Sequence, residues 1–247
     1  MIKHNLSVII PCYREKNRIA KCITESLYYL ENCPAVDEFE IILVLDNAED
    51  GTKEIIDGFL PRDNRLQLID NPTRLRKGFS VRKGMLQGKY DILMFYDADL
   101  STPLTEIEKF LSLIPEYDIL IASRRMKASV VKKSRFKRCL SAVFSGIKKL
   151  LLGLPYKDTQ CGFKMFRKRT KILFELQATG SSAFDVELLY LARKLNFKIG
   201  EIPVTWTDSA ESNFSWWRVV PRFLKDIIKI RLGGLKTHRQ TRERHKG

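Results

Sequence analysis

Residues 91–103 read DILMFYDADLSTP, an apolar run that ends in two aspartates on alternate residues, followed by Ser101, Thr102 and Pro103. A short apolar run bounded by turn-forming residues is the pattern of a β-strand. Four more runs share it: LSVII at 6–10, EIILVL at 40–45, LQLI at 66–69 and YDILIA at 117–122. Helical spacing separates them. In the first interval Ile19, Ile23, Leu27 and Leu30 recur at i, i+4, i+8 and i+11 and share one face of a helix. Strands alternating with such helices predict an α/β fold with a mostly parallel central sheet flanked by helices. A sheet of that kind holds its ligand at the carboxyl ends of its strands.

Three strand ends carry polar clusters that would open on this edge: PCYRE at 11–15, DNAEDGT at 46–52 and DADLSTP at 97–103. Downstream, SRRMKASVVKKSRFKR at 123–138 has basic side chains at 124, 125, 127, 132, 133, 135, 137 and 138 and no acid, which reads as a basic loop running into a helix. The rest reads as a turn with a strand (DTQCGFKMFRK, 158–168), a helix (SSAFDVELLYLARKL, 181–195) and another strand (FKIGEIPVTW, 197–206). No linker or repeat interrupts it. One domain is expected over 1–234, with a basic tail at 235–247. Pro221 suits the first turn of a last helix, amphipathic over 222–232. Arg222, Lys225, Asp226 and Lys229 fall on one face of it, and Phe223, Leu224, Ile227 and Ile228 on the other. Arg231 sits midway round the apolar face, which implies a buried ion pair or a side chain snorkelling at a lipid interface.

At 247 residues and 44% hydrophobic content the chain can bury one sizeable core. Its formal net charge of +15 implies an anionic partner: nucleic acid, anionic lipid or a phosphorylated substrate. Cys12, Cys22, Cys33, Cys139 and Cys161 are odd in number and show no C-x2-C spacing, which fits free thiols in a reducing compartment. No apolar run approaches the roughly 20 residues of a bilayer span, and no signal-peptide pattern opens the chain. A cytoplasmic protein, soluble or peripheral to the membrane, is expected. GxSxG, GxxxxGK[ST] and a strand-linked GxGxxG are all absent, which removes the main support for hydrolase, P-loop and dinucleotide-binding readings. No helix-turn-helix, zinc or RNP-like pattern supports nucleic-acid binding. The histidines are His4, His238 and His245, near the termini, so the commonest proton-transfer residue is not available to a central site.

Asp97 and Asp99, leaving the sheet at its ligand edge, suit a hard divalent cation such as Mg2+ or Mn2+ held jointly with substrate phosphates. The alternative is turn formation and capping of a helix that starts at Ser101–Pro103. Tyr13, Arg14, Glu15 and Asp46 would sit beside them and suit a nucleoside, with a turn and N-cap as the alternative for DNAEDGT. The basic loop offers a phosphate clamp or a solvated charged surface. Asp185 and Glu187 lie two apart on a helix and point about 200° away from each other, so at most one of them reaches the cleft.

VIIPCYRE (8–15), DADLSTP (97–103), DTQCGFK (158–164) and AFDVELLYLARKLNFKIGEIPVTW (183–206), in that order, resemble glycosyltransferase family 2 and, within it, the dolichyl-phosphate glucosyl- and mannosyltransferases. The resemblance spans roughly residues 5–232. It implies a GT-A type nucleotide-sugar-binding fold. It also implies inverting transfer of a hexose from a nucleoside-diphosphate sugar, of UDP-glucose or GDP-mannose type, to a polyprenyl (dolichyl) phosphate at an anionic membrane surface. The partners are then the donor, the lipid phosphate and the membrane, with no nucleic acid, and the cofactor is Mg2+ or Mn2+. By this resemblance Pro11, Tyr13, Glu15 and Asp46 hold the nucleoside, with Lys77 and Gly78 near it. Asp97 serves ribose or phosphate and metal, and Asp99 the metal. Arg124, with Arg135 or Arg138, grips phosphates. Gln160 and Asp185 face sugar or acceptor, and Asp99, Arg124 and Asp185 form the catalytic set.

The chain departs from the family where paired aspartates and Gly-Ser are usual: it has Leu45, Asp46, Asn47 and Ala48. After Trp206 the usual His and Gly-Ser pattern is replaced by residues 207–212, TDSAES. A phosphate ester is already anionic near neutral pH, its second pKa being about 6, so a lipid phosphate needs no strong base. Transfer to a sugar hydroxyl of a glycan is the alternative, and it needs Asp185 or Glu187 as base.

Overall fold

A computed structural model describes residues 2–132, 151–207 and 223–233. Arg135, Arg138, Cys139 and the tail at 235–247 lie outside the described residues. Every apolar run forms a strand: β1 (His4–Cys12), β2 (Val36–Asp46), β3 (Leu66–Asn71), β4 (Ile92–Phe95) and β5 (Ile119–Ser123). Between them lie α1 (Ile19–Asn32), α2 (Thr52–Phe59), α3 (Lys77–Gln87) and α4 (Glu106–Leu113). Then follow β6 (Val130–Lys132), β7 (Lys164–Arg167), α5 (Ile172–Leu176), α6 (Phe184–Lys194), β8 (Ile199–Pro203) and β9 (Thr205–Thr207). Residues 223–233 form a further helix, α7.

The main sheet has the order β3-β2-β1-β4-β7-β5-β8. β7 is antiparallel to both its neighbours, β4 and β5, and the other pairings are parallel. This topology places the site. The carboxyl ends of β1, β2, β4, β5 and β8 share one edge, and β7, running the other way, brings its amino end there. The segment 160–163 that enters β7 therefore arrives beside the aspartates that leave β4.

Successive strand residues face opposite ways, and both faces are covered. Val8, Ile10, Leu43 and Met94 pack with Ile19, Ile23, Ile107 and Phe110 on one side. Ile9, Ile42, Leu93 and Phe95 pack with Val81, Met85, Val186 and Leu189 on the other. This explains why the strands read as continuous apolar runs rather than alternating ones. α3 lies so close to the sheet that a Cβ on its Gly84 would stand 2.5 Å from Ile9 Cγ2.

Several local expectations are corrected. The stretch 197–206 is two strands: β8 ends at Pro203, which has no N–H for a ladder, and β9 pairs with β6 in a separate two-stranded sheet, Val131 opposite Trp206. Residues 130–132, expected as loop, are thus a strand. α4 starts at Glu106 rather than at Ser101–Pro103. On α7 the buried stripe is Phe223, Ile227 and Ile230, at i, i+4 and i+7, whereas Ile228 is 53% exposed. Arg231 is exposed and donates to the Leu151 carbonyl, so it forms no buried ion pair. Among the described residues no helix is long and apolar enough to cross a membrane, and Cys12, Cys22, Cys33 and Cys161 are free and buried.

Candidate active site

Beyond the end of β4 the chain turns through Leu100, at φ +50°, and sets Asp97 and Asp99 at the ligand edge. Asp97, Asp99, Arg124, Gln160, Gly162 and Trp206 line one cleft. Lys77, the first residue of α3, places its ammonium on Asp97 Oδ1. The Lys77 side chain is 40% exposed; partial loss of water works against its charge, but the carboxylates of Asp97, Asp185 and Asp99 outweigh this and raise its pKa above the ordinary lysine value. Asp99 Oδ1 accepts the Ser101 N–H at 3.0 Å. Glycine at 162 lets Asp97 keep its place: a Cβ there would stand 2.1 Å from Asp97 Oδ2.

The segment after β1 forms a second wall, with Pro11 at the end of the strand. The Tyr13 ring carries the guanidinium groups of Arg74 at 4.1 Å and Arg14 at 5.4 Å from its centroid. Glu15 donates its backbone N–H to Thr52 Oγ1 at 2.9 Å and accepts from Arg18 Nε at 2.8 Å. Burial pushes the Glu15 carboxyl up, Arg18 draws it down, and Asp99 and Asp97 add to the upward push. Both Asp46 oxygens accept backbone N–H groups, from Leu75 at 2.6 Å and Arg76 at 2.8 Å. This holds Arg76 at φ 72°, ψ 158°, a conformation that only glycine adopts freely. Arg14, Asn47, Arg76 and Leu100 all have positive φ, and all lie in loops at this edge. Such strain, about 1–3 kcal/mol each, persists where the surroundings enforce it and clusters at functional sites.

The third wall begins at the end of β5. Arg124 forks onto the buried Asp158, Nε to Oδ2 at 2.6 Å and a terminal nitrogen to Oδ1 at 3.0 Å. Glu201 on β8 accepts the Asp158 N–H at 2.8 Å. The Arg124 guanidinium also lies 5.5 Å from the Trp206 ring centroid, and Thr207 donates to the Ser101 carbonyl at 2.9 Å, which ties β9 to the aspartate turn. Gln160 reaches the Ser182 carbonyl at 3.4 Å. On α6, Asp185 is buried and paired with Lys164 Nζ at 2.5 Å. Burial raises its pKa, while Lys164 and Lys77 pull it back without cancelling the rise. Glu187 instead accepts the N–H groups of Ala178 and Thr179. The two acids diverge, as their spacing requires.

The structure therefore brings together Asp97, Asp99, Lys77, Arg124 and Gln160. Asp46 and Glu15 approach through loops of the same edge. Asp158, Lys164 and Trp206 were assigned no role from sequence, although all three lie inside the motifs DTQCGFK and PVTW. A lysine flanked by Phe163 and Met165 in an apolar strand was the available signal.

The residues fit a hard divalent cation. Two carboxylates share the cleft, and Ser101 Oγ beside them is buried and meets no hydrogen-bond partner. Among the described residues no group of three or more His, Cys, Asp or Glu could hold a metal, so an ion here would complete its oxygen shell from phosphate and water.

Comparison with known proteins agrees with this geometry. The dolichyl-phosphate beta-glucosyltransferase ALG5A of Trichomonas vaginalis is 30% identical over 241 residues, covering 91% of this chain and 72% of that protein. The dolichyl-phosphate beta-glucosyltransferase of Drosophila melanogaster is 34% identical over 221 residues, 82% of this chain and 67% of that one. Among solved structures, glucosyl-3-phosphoglycerate synthase from Mycobacterium tuberculosis with UDP superposes with a TM-score of 0.64 at 15% identity, covering 94% of this chain and 80% of that one. The mannosyltransferase PcManGT from Pyrobaculum calidifontis, with GDP-Man and Mn2+, does so at 0.61 and 16% identity, covering 89% of this chain and 61% of that one. The fold is the GT-A fold. The profile of glycosyl transferase family 2 matches residues 7–172, and the chain belongs to that family.

Proposed function

We propose that this chain transfers a hexose, glucose by likeness to its relatives, from a nucleoside-diphosphate sugar to a polyprenyl (dolichyl) phosphate. The observation that carries the reading is the cleft itself: two carboxylates, a lysine and an arginine converge there, and the buried carboxylate of Asp185 is already paired with Lys164. Relatives spanning most of the chain are named for the same donor sugar and acceptor. In the reaction a phosphate oxygen of the acceptor forms a bond to the anomeric carbon as the bond to the diphosphate breaks, with inversion.

Asp97 and Asp99, with Ser101 Oγ at hand, would hold Mg2+ or Mn2+, which supplies positive charge for the leaving diphosphate. Lys77 and Arg124 add fixed cations aimed at the same developing charge. Arg124 is oriented by Asp158, and Trp206 offers an apolar wall on its other side. Tyr13, Glu15 and Asp46 shape the nucleoside side, Asp46 by fixing the 75–76 loop. Gln160 faces sugar or acceptor. Arg135 and Arg138, outside the described residues, remain candidates for the acceptor phosphate.

A second reading has one observation in its favour. Burial raises the pKa of Asp185, which suits a base acting on a sugar hydroxyl. Against it, Glu187 is held by backbone N–H groups and Asp185 by Lys164. α7 exposes Ile228 and Leu232 beside Lys225, Lys229 and Arg231, which supports peripheral contact with an anionic membrane surface. The test of the proposed reaction is incubation with UDP-glucose or GDP-mannose, Mg2+ or Mn2+ and a short polyprenyl phosphate. Lipid-linked sugar is expected; donor turnover only with a glycan acceptor would favour the second reading.

A further inference from the structure

Lys164 lies at the start of β7, between two other strands, and has no exposed surface. Lysine is among the residues least often fully buried. Its ammonium donates to Asp185 Oδ1 and to the Cys161 carbonyl, both at 2.5 Å, and stands 5.4 Å from the Phe95 ring centroid. Packing alone does not call for this pair, because apolar residues of similar volume commonly replace buried ion pairs with no loss of stability. The pair leads toward the cleft. The amino ends of α3 and α6 abut, a Cβ on Gly78 standing 2.7 Å from Phe184 Cβ, which brings Asp185 beside Lys77, and Lys77 contacts Asp97, so charges alternate Lys164, Asp185, Lys77, Asp97 from the interior of the sheet to the aspartate turn.

We propose that Lys164 is a positioning residue for glycosyl transfer: it anchors Asp185 as the fixed anion that holds the Lys77 ammonium against Asp97. The proposal rests on the reading of the cleft as the site of transfer from a nucleotide sugar. Lys164 touches neither donor nor acceptor, and its effect passes through Asp185.

A double-mutant cycle on the full chain tests this, with Lys164→Met, Asp185→Asn and the double variant read for kcat and donor KM of nucleoside diphosphate release, alongside denaturation midpoints. Lys164→Met is expected to lower kcat tenfold or more with donor KM within threefold. The double variant is expected to match Asp185→Asn within threefold, since the lysine has nothing left to act through. Should Lys164→Met leave the buried carboxylate unpaired and fail to fold, the double variant carries no such charge, and its comparison with Asp185→Asn decides alone. A folded Lys164→Met with kcat within threefold of wild type, or a double variant tenfold below Asp185→Asn, overturns the proposal. If the wild type uses a glycan hydroxyl and not polyprenyl phosphate, the acceptor reading fails, and the cycle run on that glycan still decides the role of Lys164.

Discussion

Arg124 and Asp158 meet as fork and carboxylate, and the backbone N–H of Arg124 reaches the same Oδ2 at 3.1 Å. One acid therefore fixes both the side chain and the main chain of the arginine at the cleft. The side chain of Asp158 is 4% exposed and that of Arg124 20%, so the pair is largely shielded from water. Burial disfavours the Asp158 charge, but Arg124 outweighs it and holds the carboxyl well below the usual range.

Asp158→Asn is expected to destabilise the fold by about 3 kcal/mol, the low end for breaking a buried pair. It should also lower kcat, because Arg124 loses its orientation. The lowered folded pKa sets the pH dependence: the contribution is fully present above the unfolded value of about 3.9 and is lost as pH falls from there toward the folded value. Urea denaturation should show a constant gap between wild type and variant from roughly pH 5 to 8, narrowing below about 4.

Asp99→Asn should reduce transfer about 100-fold or more, since a metal stabilises the departing diphosphate by several kcal/mol and each 1.4 kcal/mol is about tenfold in rate. The fold should survive, because asparagine keeps an oxygen for the Ser101 N–H. Rates across a Mn2+ titration, with circular dichroism as the folding control, check this. A variant within threefold of wild type would remove the metal from the aspartate turn.

Gly162→Ala places a methyl group where Asp97 Oδ2 now stands. Asp97 must swing away, and a shift of about 1 Å in a positioned group can cost 100-fold in rate. The expected result is a loss of that order with a denaturation midpoint close to wild type, as the displaced side chain is 40% exposed. An alanine variant of normal rate would show that the position of Asp97 is unimportant.

The outer face of α7 is expected to contribute to membrane contact. Ile228→Asp with Leu232→Asp in the full chain should weaken sedimentation with phosphatidylserine vesicles, and salt should weaken the wild type by screening its basic side chains. Equal binding by variant and wild type would exclude this face.

The α/β class was legible because strands covered on both faces leave continuous apolar runs, and the aspartate turn because two acids directly follow one. The antiparallel insertion of β7 was not: KMFR looks the same whichever way the strand runs, and its neighbours β4 and β5 are remote in sequence. The break at Pro203 follows from a missing N–H, but the partner that captures β9 lies in a stretch that reads as basic loop. Lys77 was placed near the nucleoside by resemblance alone, and its contact with Asp97 is a tertiary fact. The ion pair of Lys164 with Asp185 joins residues 21 positions apart, and no local spacing announces it.

The most direct measurement compares two acceptors that differ in one group, a polyprenyl phosphate and the free polyprenol of the same length, with UDP-glucose or GDP-mannose and Mn2+. Lipid-linked hexose is expected from the phosphate, lost on chelation of the metal, with none from the alcohol. Comparable product from the polyprenol, or product from a glycan hydroxyl and none from the phosphate, would contradict transfer to an anionic lipid acceptor.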